Sequence, residues 1–219
     1  MINKRSARMA LLACASVASL GLLAWATPAA AKTVTKTATF SQCLNTAVPI
    51  LDPVSSALQA QTASVPVSVP KFKKKPQDGV VTGFSTAGVR ISHTDDGDIS
   101  LFLISPGGKA ITLSSQNDDS PTSGDGYGTG AASCAGSLVT FGDAFTTPIQ
   151  TPGNTGADAP ITGSFKPEQP LSRFVGGPAR GNWTLLVLDF SSGDTGSING
   201  VSLNFTYQYK ALKKKKKKA

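Results

Sequence analysis

The clearest strand pattern in the chain lies in VRISHTDDGDISLFLIS, residues 89–105. Val89, Ile91 and His93 alternate with polar residues, which is the period-2 pattern of a strand buried on one face. Residues 99–104 form a nearly continuous apolar run, which predicts a strand covered on both faces. The segment between them holds the only histidine of the chain and three carboxylates. It is therefore either a charged turn between two strands or a candidate site for catalysis or metal binding.

The rest of the chain adds further short strands separated by turns. Residues 105–108, SPGG, predict a turn, and residues 110–115 predict the return strand of a hairpin. No long segment after the N-terminal region has the periodicity of a helix. We therefore expect an all-β fold, a jelly-roll-like antiparallel β-sandwich of about eight strands. The other predicted strands are residues 33–40, 64–69, 137–141, 183–189 and 197–209.

The first 31 residues have the layout of a leader. Basic residues come first, an apolar run over residues 9–26 follows, and small residues at Ala29 and Ala31 precede the expected cleavage point. This order predicts a secretory signal peptide over residues 1–31, and hence a secreted or cell-envelope protein. The alternative is an uncleaved membrane anchor, because the apolar run is nearly long enough to span a bilayer.

Three segments are expected after the leader. Residues 32–79 should contribute N-terminal strands and an exposed basic loop, KFKKKP, at residues 71–76. Residues 80–209 should form the core of the sandwich. Residues 210–219 form a poly-lysine tail with six consecutive lysines. A hydrophobic content of 40% with 16% charged residues indicates a globular chain, not a disordered one.

The formal net charge of +8 comes from the leader, the basic loop and the tail, because the remaining body has more acidic than basic residues. The poly-lysine tail is either a solvated end or a segment that contacts an anionic wall polymer or membrane surface. Sequence-specific recognition of nucleic acid is not expected, because no aromatic stacking motif accompanies the lysines.

Removal of the leader leaves two cysteines, Cys43 and Cys134. In an oxidising compartment we expect them to pair, and the long loop that they close would stabilise the fold by about 4 to 5 kcal/mol in the chain-entropy model. Two separate reduced thiols are the alternative.

Aspartates in turns and loops are the candidate metal ligands. Calcium takes six to eight oxygen ligands, and loops with clustered Asp, Asn and Gly supply them. Such loops could meet at one end of a sandwich, although no EF-hand spacing is present and solvated turn aspartates remain the alternative. The candidates are Asp96, Asp98, Asp118, Asp119, Asp125 and Asp143, with Asn117 beside them.

His93 is expected to be structural. A metal site centred on it would need further histidine or cysteine ligands, and the sequence supplies none nearby. We therefore predict a buried strand-end side chain that is hydrogen-bonded across the sandwich. A catalytic role would require an accessible His93 paired with a hydroxyl or carboxylate in a cleft.

Several motifs in order resemble the P domain, or P/Homo B domain, of subtilisin-like proprotein convertases. The family pieces are an H-T-x-x-G-D-L strand entry, an S-P-x-G-T turn, a T-F-x-D segment, a P-L-S-x-F-x-G stretch and a G-x-W-x-L-x-V-x-D strand. A closing D-x-G-x-L strand follows. The matching segments here are HTDDGDISLFLISPGG (93–108), TFGDAF (140–145), PLSRFVGG (170–177), GNWTLLVLD (181–189) and DTGSINGVSLNF (194–205).

The resemblance implies a jelly-roll β-sandwich with a regulatory, stabilising or binding role. In the family this domain accompanies a subtilisin-like serine endopeptidase, and no such protease domain or Ser-His-Asp triad is visible here. We therefore expect a secreted, non-catalytic module, supported by calcium, that binds or stabilises a partner such as a secreted subtilisin-like protease. A surface-attached adhesion or carbohydrate-binding sandwich is the first alternative, and a hydrolase with an unfamiliar site is the second.

Overall fold

The computed structural model of the protein describes residues 32–53, 59–67, 79–117, 126–129, 136–149 and 160–211, all within the compact unit Ala31–Ala219. The predicted leader, the basic loop at residues 71–76 and the six consecutive lysines of the tail fall outside these residues. Four residues singled out above also lie outside them, namely Asp118, Asp119, Asp125 and Cys134. Within the described ranges, no helix has the length and hydropathy needed to cross a membrane.

The described residues form nine β-strands and two short 3₁₀ segments, and no α-helix occurs among them. The 3₁₀ segments are Asp96–Asp98 and Leu171–Phe174. The strands are β1 (Lys32–Ile50), β2 (Gln59–Val67), β3 (Val80–His93), β4 (Ile99–Ile104), β5 (Ala110–Ser115), β6 (Val139–Phe141), β7 (Ser164–Phe165), β8 (Gly181–Asp189) and β9 (Gly196–Ala211).

The strands form two sheets. One has five strands in the order β1-β9-β3-β6-β7, and the other has four in the order β2-β8-β4-β5. Every pairing is antiparallel except that of β6 with β7. When the two-residue β7 is set aside, the remaining eight strands have the order of a jelly roll. The predicted all-β sandwich is therefore confirmed.

Aromatic side chains from both sheets fill the centre of the sandwich. The ring of Trp183 on β8 lies 5.4 Å from that of Phe84, 4.9 Å from that of Phe174 and 5.4 Å from that of Phe205, measured between centroids. Its indole Nε1 donates to the carbonyl of Ala179 at 3.1 Å, so the polar edge of the buried ring is satisfied. The alternating inward face of β9 joins this core, as its sequence predicts, through Val201, Leu203, Phe205, Tyr207 and Tyr209.

The hairpin of β4 and β5 also follows the sequence. The two strands pair antiparallel, and the turn between them closes with a hydrogen bond from the amide of Ser105 to the carbonyl of Lys109 at 2.8 Å. Gly108 adopts a φ of 79° there, a conformation that favours glycine.

β1 and β3 are much longer than the sequence pattern indicates, and β2 begins at Gln59 instead of residue 64. β1 continues to Ile50 because β9 provides a pairing partner along almost its whole length, from Lys32 opposite Ala211 to Ile50 opposite Gly196. β3 begins at Val80, whereas the alternation becomes visible only from residue 88. Register shifts at Val81/Gly83 and Phe84/Thr86 interrupt the period of two in its first half.

One burial prediction for β3 and β4 is wrong, and the other agrees with the structure. No residue of β4 is exposed: Leu101 and Leu103 are buried on one face, and on the other face Ser100 is buried while Phe102 and Ile104 are half-buried. Arg90 on β3, predicted on the solvent side, is only 3% exposed, and its Nη2 lies 3.5 Å from Sγ of Cys43.

A tyrosine fixes the described part of the long loop that follows β5. Tyr127 exchanges two backbone hydrogen bonds with Ile91 of β3, at 2.8 and 2.9 Å, and its side chain is fully buried. The hydroxyl of Tyr127 bonds that of Ser114 at 2.9 Å. This ring therefore holds the loop to the body of the sandwich.

Candidate functional site: an acidic cluster over a buried histidine

The candidate site lies at the end of the sandwich where β1 and β3 finish and β9 begins. Ile50 and His93 both pair with Gly196, so three strands of one sheet meet there. In the other sheet, Ile99 of β4 pairs with Asp189, the last residue of β8. The connections that leave these strand ends bring together carboxylates from three separate parts of the sequence.

His93 forms the floor of the site. Its Nδ1 lies 2.6 Å from the carbonyl oxygen of Asp95, and its Nε2 lies 3.4 Å from Oδ2 of Asp189. The amide nitrogen of Asp95 also lies 3.2 Å from Nδ1, so this ring nitrogen contacts both backbone groups of Asp95. The other ring nitrogen, Nε2, faces the carboxylate of Asp189. His93 and Asp189 therefore form a buried histidine–carboxylate pair, with side chains that are 0% exposed.

Burial is the main influence on Asp189. It raises the pKa of the carboxyl above the ordinary value of 3.8, while the amide of Ser191 and the ring of His93 lower it. The Ser191 amide donates to Oδ1 of Asp189 at 3.2 Å. Both carboxylate oxygens therefore have partners.

Three further carboxylates meet above this pair. Oxygen atoms of Asp95, Asp98 and Asp194 all lie within 4.8 Å of one another, and the three residues are half-buried. Asp95 and Asp98 bracket the turn between β3 and β4, and Asp194 belongs to the turn between β8 and β9. We call these three residues the acidic triplet.

Local hydrogen bonds set the position of each member of the triplet. Asp95 caps the first 3₁₀ segment, with its Oδ1 accepting from the amide of Gly97 at 2.9 Å. Asp194 accepts from the hydroxyl of Thr94 at 2.6 Å, which joins the two turns. The backbone of Asp98 accepts from the amide of Phe190 at 2.9 Å. The HTDDGD segment therefore forms a capped turn that is hydrogen-bonded to the β8–β9 connection.

The electrostatics of the triplet favour a bound cation. Burial raises the pKa of Asp98, a hydrogen bond from Ser191 lowers it, and the charges of Asp189 and Asp194 raise it further. A divalent cation among these oxygens would relieve the mutual repulsion. Oxygen donors from carboxylates and carbonyls are the ligands that calcium takes, so the donor set fits that ion.

The predicted metal ligands lie at separate places in the structure. Asp98 belongs to the triplet. Asp96 is buried at 2% exposure, and its charge acts together with burial to raise the pKa of the Tyr127 hydroxyl. Asp143 lies elsewhere and accepts from the amides of Leu171 and Ser172 at 2.7 and 2.9 Å, so it caps the second 3₁₀ segment. Asn117 donates to the carbonyl of Ile149 at 3.0 Å.

Sequence reasoning missed Asp95, Asp189 and Asp194 as members of the site. The pattern HTDD contains Asp95, yet its role as a capping residue becomes visible only in the turn. Asp194 lies in the turn predicted after β8, and only the register of β3, β8 and β9 places it beside Thr94.

Cys43 takes part in a disulfide bond. Its partner sulfur is outside the described residues, so the pairing with Cys134 stays a prediction.

The surroundings of the triplet include two exposed apolar side chains. Leu51 is 52% exposed and Phe190 is 43% exposed. Leu51 precedes Asp52, whose Oδ1 accepts from the amide of Gly193 at 2.9 Å, and Phe190 precedes the same turn. Both apolar side chains therefore lie on the connections that carry or contact the triplet.

Comparison with known proteins gives limited similarity. No family model matches the chain, and no curated protein matches it. A crystal structure of the serine protease of Aeromonas sobria matches with 13% identity over 80% of this chain and 27% of that chain, at a TM-score of 0.37. The complex of the Aeromonas sobria serine protease with its chaperone matches with 12% identity over 81% of this chain and 27% of that chain, at a TM-score of 0.38. The chain thus spans about a quarter of the length of these structures, and similarity at this level supports no further argument about fold or function.

Proposed function

We propose that the protein is a secreted, non-catalytic, P/Homo B-like module that uses a calcium ion at the acidic triplet to fix a surface for binding a partner protein. The observation that carries this proposal is the layered arrangement of the site. A half-buried set of oxygen ligands lies above a fully buried His93–Asp189 pair. Such a layer can hold an ion, and the buried pair holds the turns that supply its ligands.

A binding role fits the burial of His93 better than a hydrolytic role. A general base must come within about 2.6 to 3.2 Å of the proton that it removes from a substrate or nucleophile. The side chain of His93 is 0% exposed and both of its ring nitrogens contact groups of the protein itself. A hydrolase built on His93 would need a large opening of the turns around it.

Leu51 and Phe190 supply the apolar part of the proposed binding surface. Protein interaction sites combine an apolar centre with a polar rim, and these two side chains would supply the apolar part beside the polar triplet. The partner class comes from the resemblance to the P domain, which accompanies subtilisin-like proteases. A secreted subtilisin-like protease acting in trans is therefore the proposed partner, and the calcium ion would order the surface that receives it.

The test combines calcium binding with partner capture. The secreted chain is titrated with calcium while its melting temperature is recorded, and it is then used to capture secreted proteins in calcium or in chelator. We expect calcium to raise the melting temperature and a serine protease to be captured only in calcium. Asp194→Asn should abolish both effects.

Asp143→Asn is the matched control, because it removes the same charge from a capping carboxylate outside the triplet. It should lower stability without removing the calcium response. A melting temperature that is the same in calcium and in chelator would refute the calcium part. Capture of a protease regardless of calcium would refute the coupling between the ion and the binding surface.

A carbohydrate-binding role is the second candidate. Tyr127, the one aromatic residue of the long loop, is buried and cannot serve as a stacking platform. Among the described residues, Phe190 is the exposed aromatic ring, and it lies next to the triplet. Calcium-dependent retention on glycan or wall polymer, lost in Phe190→Ala and without any captured protease, would favour this candidate.

A further inference from the structure

Charged residues of the described body are segregated toward the two ends of the sandwich. The two ends of β9 are about 50 Å apart, from its length and the usual rise of a strand. Six acidic residues lie at the end where β9 begins, and we call it the acidic end; they are Asp52, Asp95, Asp96, Asp98, Asp189 and Asp194. Five basic residues lie at the opposite end, the basic end; they are Lys32, Lys109, Arg173, Arg180 and Lys210.

Strand register places these basic residues together. Lys32 pairs with Ala211 at the end of β9, and Lys210 is the residue before it. Lys109 lies in the turn after β4, and β4 runs away from Asp189 at the acidic end. The ammonium group of Lys109 donates to the backbone carbonyl of Arg173 at 2.8 Å, so the turn after β4 contacts the second 3₁₀ segment, which carries Arg173.

Two exposed apolar side chains belong to the same end. Val80 is 43% exposed and Val175 is 45% exposed. Two backbone hydrogen bonds join their segments, from the amide of Val81 to Gly177 at 3.0 Å and from the amide of Gly176 to Val81 at 2.9 Å. Val80 pairs with Gln208, two residues before Lys210 along β9. The basic end therefore combines apolar and cationic side chains on one surface.

Exposed valines beside cationic side chains favour a lipid surface over a dissolved polyanion as the anionic partner. A dissolved polyanion is held by charge and gains little from exposed valines, whereas a lipid surface offers both phosphate groups and an apolar layer. We propose that the basic end of the folded body docks on an anionic phospholipid surface. Val80 and Val175 enter the headgroup region, Lys109, Arg173 and Lys210 face the phosphates, and the acidic end points away from the lipid.

This docking surface extends the expectation for the poly-lysine tail to the folded body. In sequence the six lysines follow Ala211, and the basic loop precedes Val80, so both lysine-rich segments connect to the basic end. The proposal does not depend on calcium or on a protein partner. Loss of lipid binding with an intact calcium response would therefore overturn the lipid-docking proposal and leave the proposed function standing.

Co-sedimentation with vesicles tests the charged part. The full chain is mixed with vesicles of phosphatidylglycerol and phosphatidylcholine, or of phosphatidylcholine alone. We expect binding only to the anionic vesicles, and a loss of about 25-fold in Lys109→Gln/Arg173→Gln, since each basic residue near such a surface contributes about fivefold. The matched control is Lys166→Gln, compared with the single variant Lys109→Gln, because it makes the same change in net charge at an exposed position next to β7, opposite the middle of β3. An equal loss in these two single variants would show attraction by net charge or by the tail, and would overturn the docking surface.

The apolar part and the orientation are tested separately. Val80→Ser/Val175→Ser should weaken vesicle binding several-fold, and Leu51→Ser/Phe190→Ser at the acidic end should not. In a second measurement, the emission of Val175→Trp should shift to the blue on anionic vesicles, whereas that of Leu51→Trp should stay unchanged. A blue shift only at position 51 would reverse the orientation. Concentration-dependent oligomers that form without lipid and bury position 175 would show that a second copy covers this end, which would also overturn the proposal.

Discussion

At the scale of single residues, the pair of His93 and Asp189 dominates the site because neither side chain reaches solvent. Breaking a buried ion pair by removing one partner usually costs about 3 to 5 kcal/mol, since the remaining charge stays buried without its counter-charge. We expect His93→Ala to lower the free energy of unfolding by an amount in that range at neutral pH. Urea unfolding followed by tryptophan fluorescence measures this change.

The pH dependence of that variant gives the control. The pKa of Asp189 is higher in the folded protein than its ordinary value of 3.8, so protonation of this carboxyl stabilises the folded state. The stabilisation is complete at a pH below 3.8. It is lost as the pH rises through the raised pKa. The defect of His93→Ala should therefore be smaller near pH 4 than at pH 7. His93→Ala/Asp189→Asn should be more stable at pH 7 than His93→Ala. Simple additivity of the two substitutions would contradict a direct interaction between His93 and Asp189.

Asp98 gives a second prediction at this scale. Its pKa is raised by burial and by the charges of Asp189 and Asp194, so its ionised form destabilises the ion-free fold at neutral pH. Asp98→Asn keeps a group for the hydrogen bond with Ser191 and removes the repulsion. In chelator the variant should melt on the order of 2 °C above wild type, and in calcium it should melt below wild type. Scanning calorimetry under both conditions checks the reversal, and a variant that is less stable in both would refute the repulsion.

At the scale of structural elements, Tyr127 attaches the loop after β5 to β3 and β5. Tyr127→Phe removes its hydrogen bond to Ser114 and leaves a buried hydroxyl without that partner. The expected loss is about 1 to 2 kcal/mol in the free energy of unfolding, measured by urea denaturation. In the Tyr127→Phe background, adding Ser114→Ala should lower the free energy of unfolding by little more, because the Ser114 hydroxyl has already lost its bond to Tyr127. Fully additive losses would show that the two hydroxyls act separately.

Gly196, the first residue of β9, allows a prediction about how tightly this strand packs on β3. A Cβ on Gly196 would overlap the carbonyl oxygen of Ser92 and would lie 2.6 Å from Cδ2 of His93. Gly196→Ala should therefore displace His93 and destabilise the fold by more than 2 kcal/mol, as overpacking of a tight site does. Gly83→Ala on β3 is the control, since its Cβ would meet only Thr206 at 3.9 Å. Similar thermal stabilities of the two variants would contradict this packing.

How much of the structure the sequence predicts depends on whether a feature is local. The β4–β5 hairpin and the inward face of β9 follow from alternation and turn residues, which act over a few positions. The first half of β3 is hidden because its bulges break the alternation, and the continuation of β1 depends on β9 as a partner. The triplet requires Asp98 and Asp194 to meet, and their distance is set by register between strands that are far apart in sequence. Asp143, in contrast, resembles a ligand in sequence and serves as a cap in the fold.

At the scale of the whole molecule, the disulfide at Cys43 links the edge of one sheet to a distant part of the chain. If Cys134 is its partner, as the sequence predicts, the bridge ties the end of the long loop to β1 beside Arg90. In the chain-entropy model its loss costs about 4 to 5 kcal/mol, which corresponds to a fall in melting temperature on the order of 10 °C for a domain of this length. Cys43→Ser, Cys134→Ser and the double variant should all melt at the same reduced temperature, because each removes the same cross-link. Thiol titration of the denatured, unreduced mature chain should find no free thiol. One free thiol per chain, or a double variant that melts well below both single variants, would show that the two cysteines do not pair with each other.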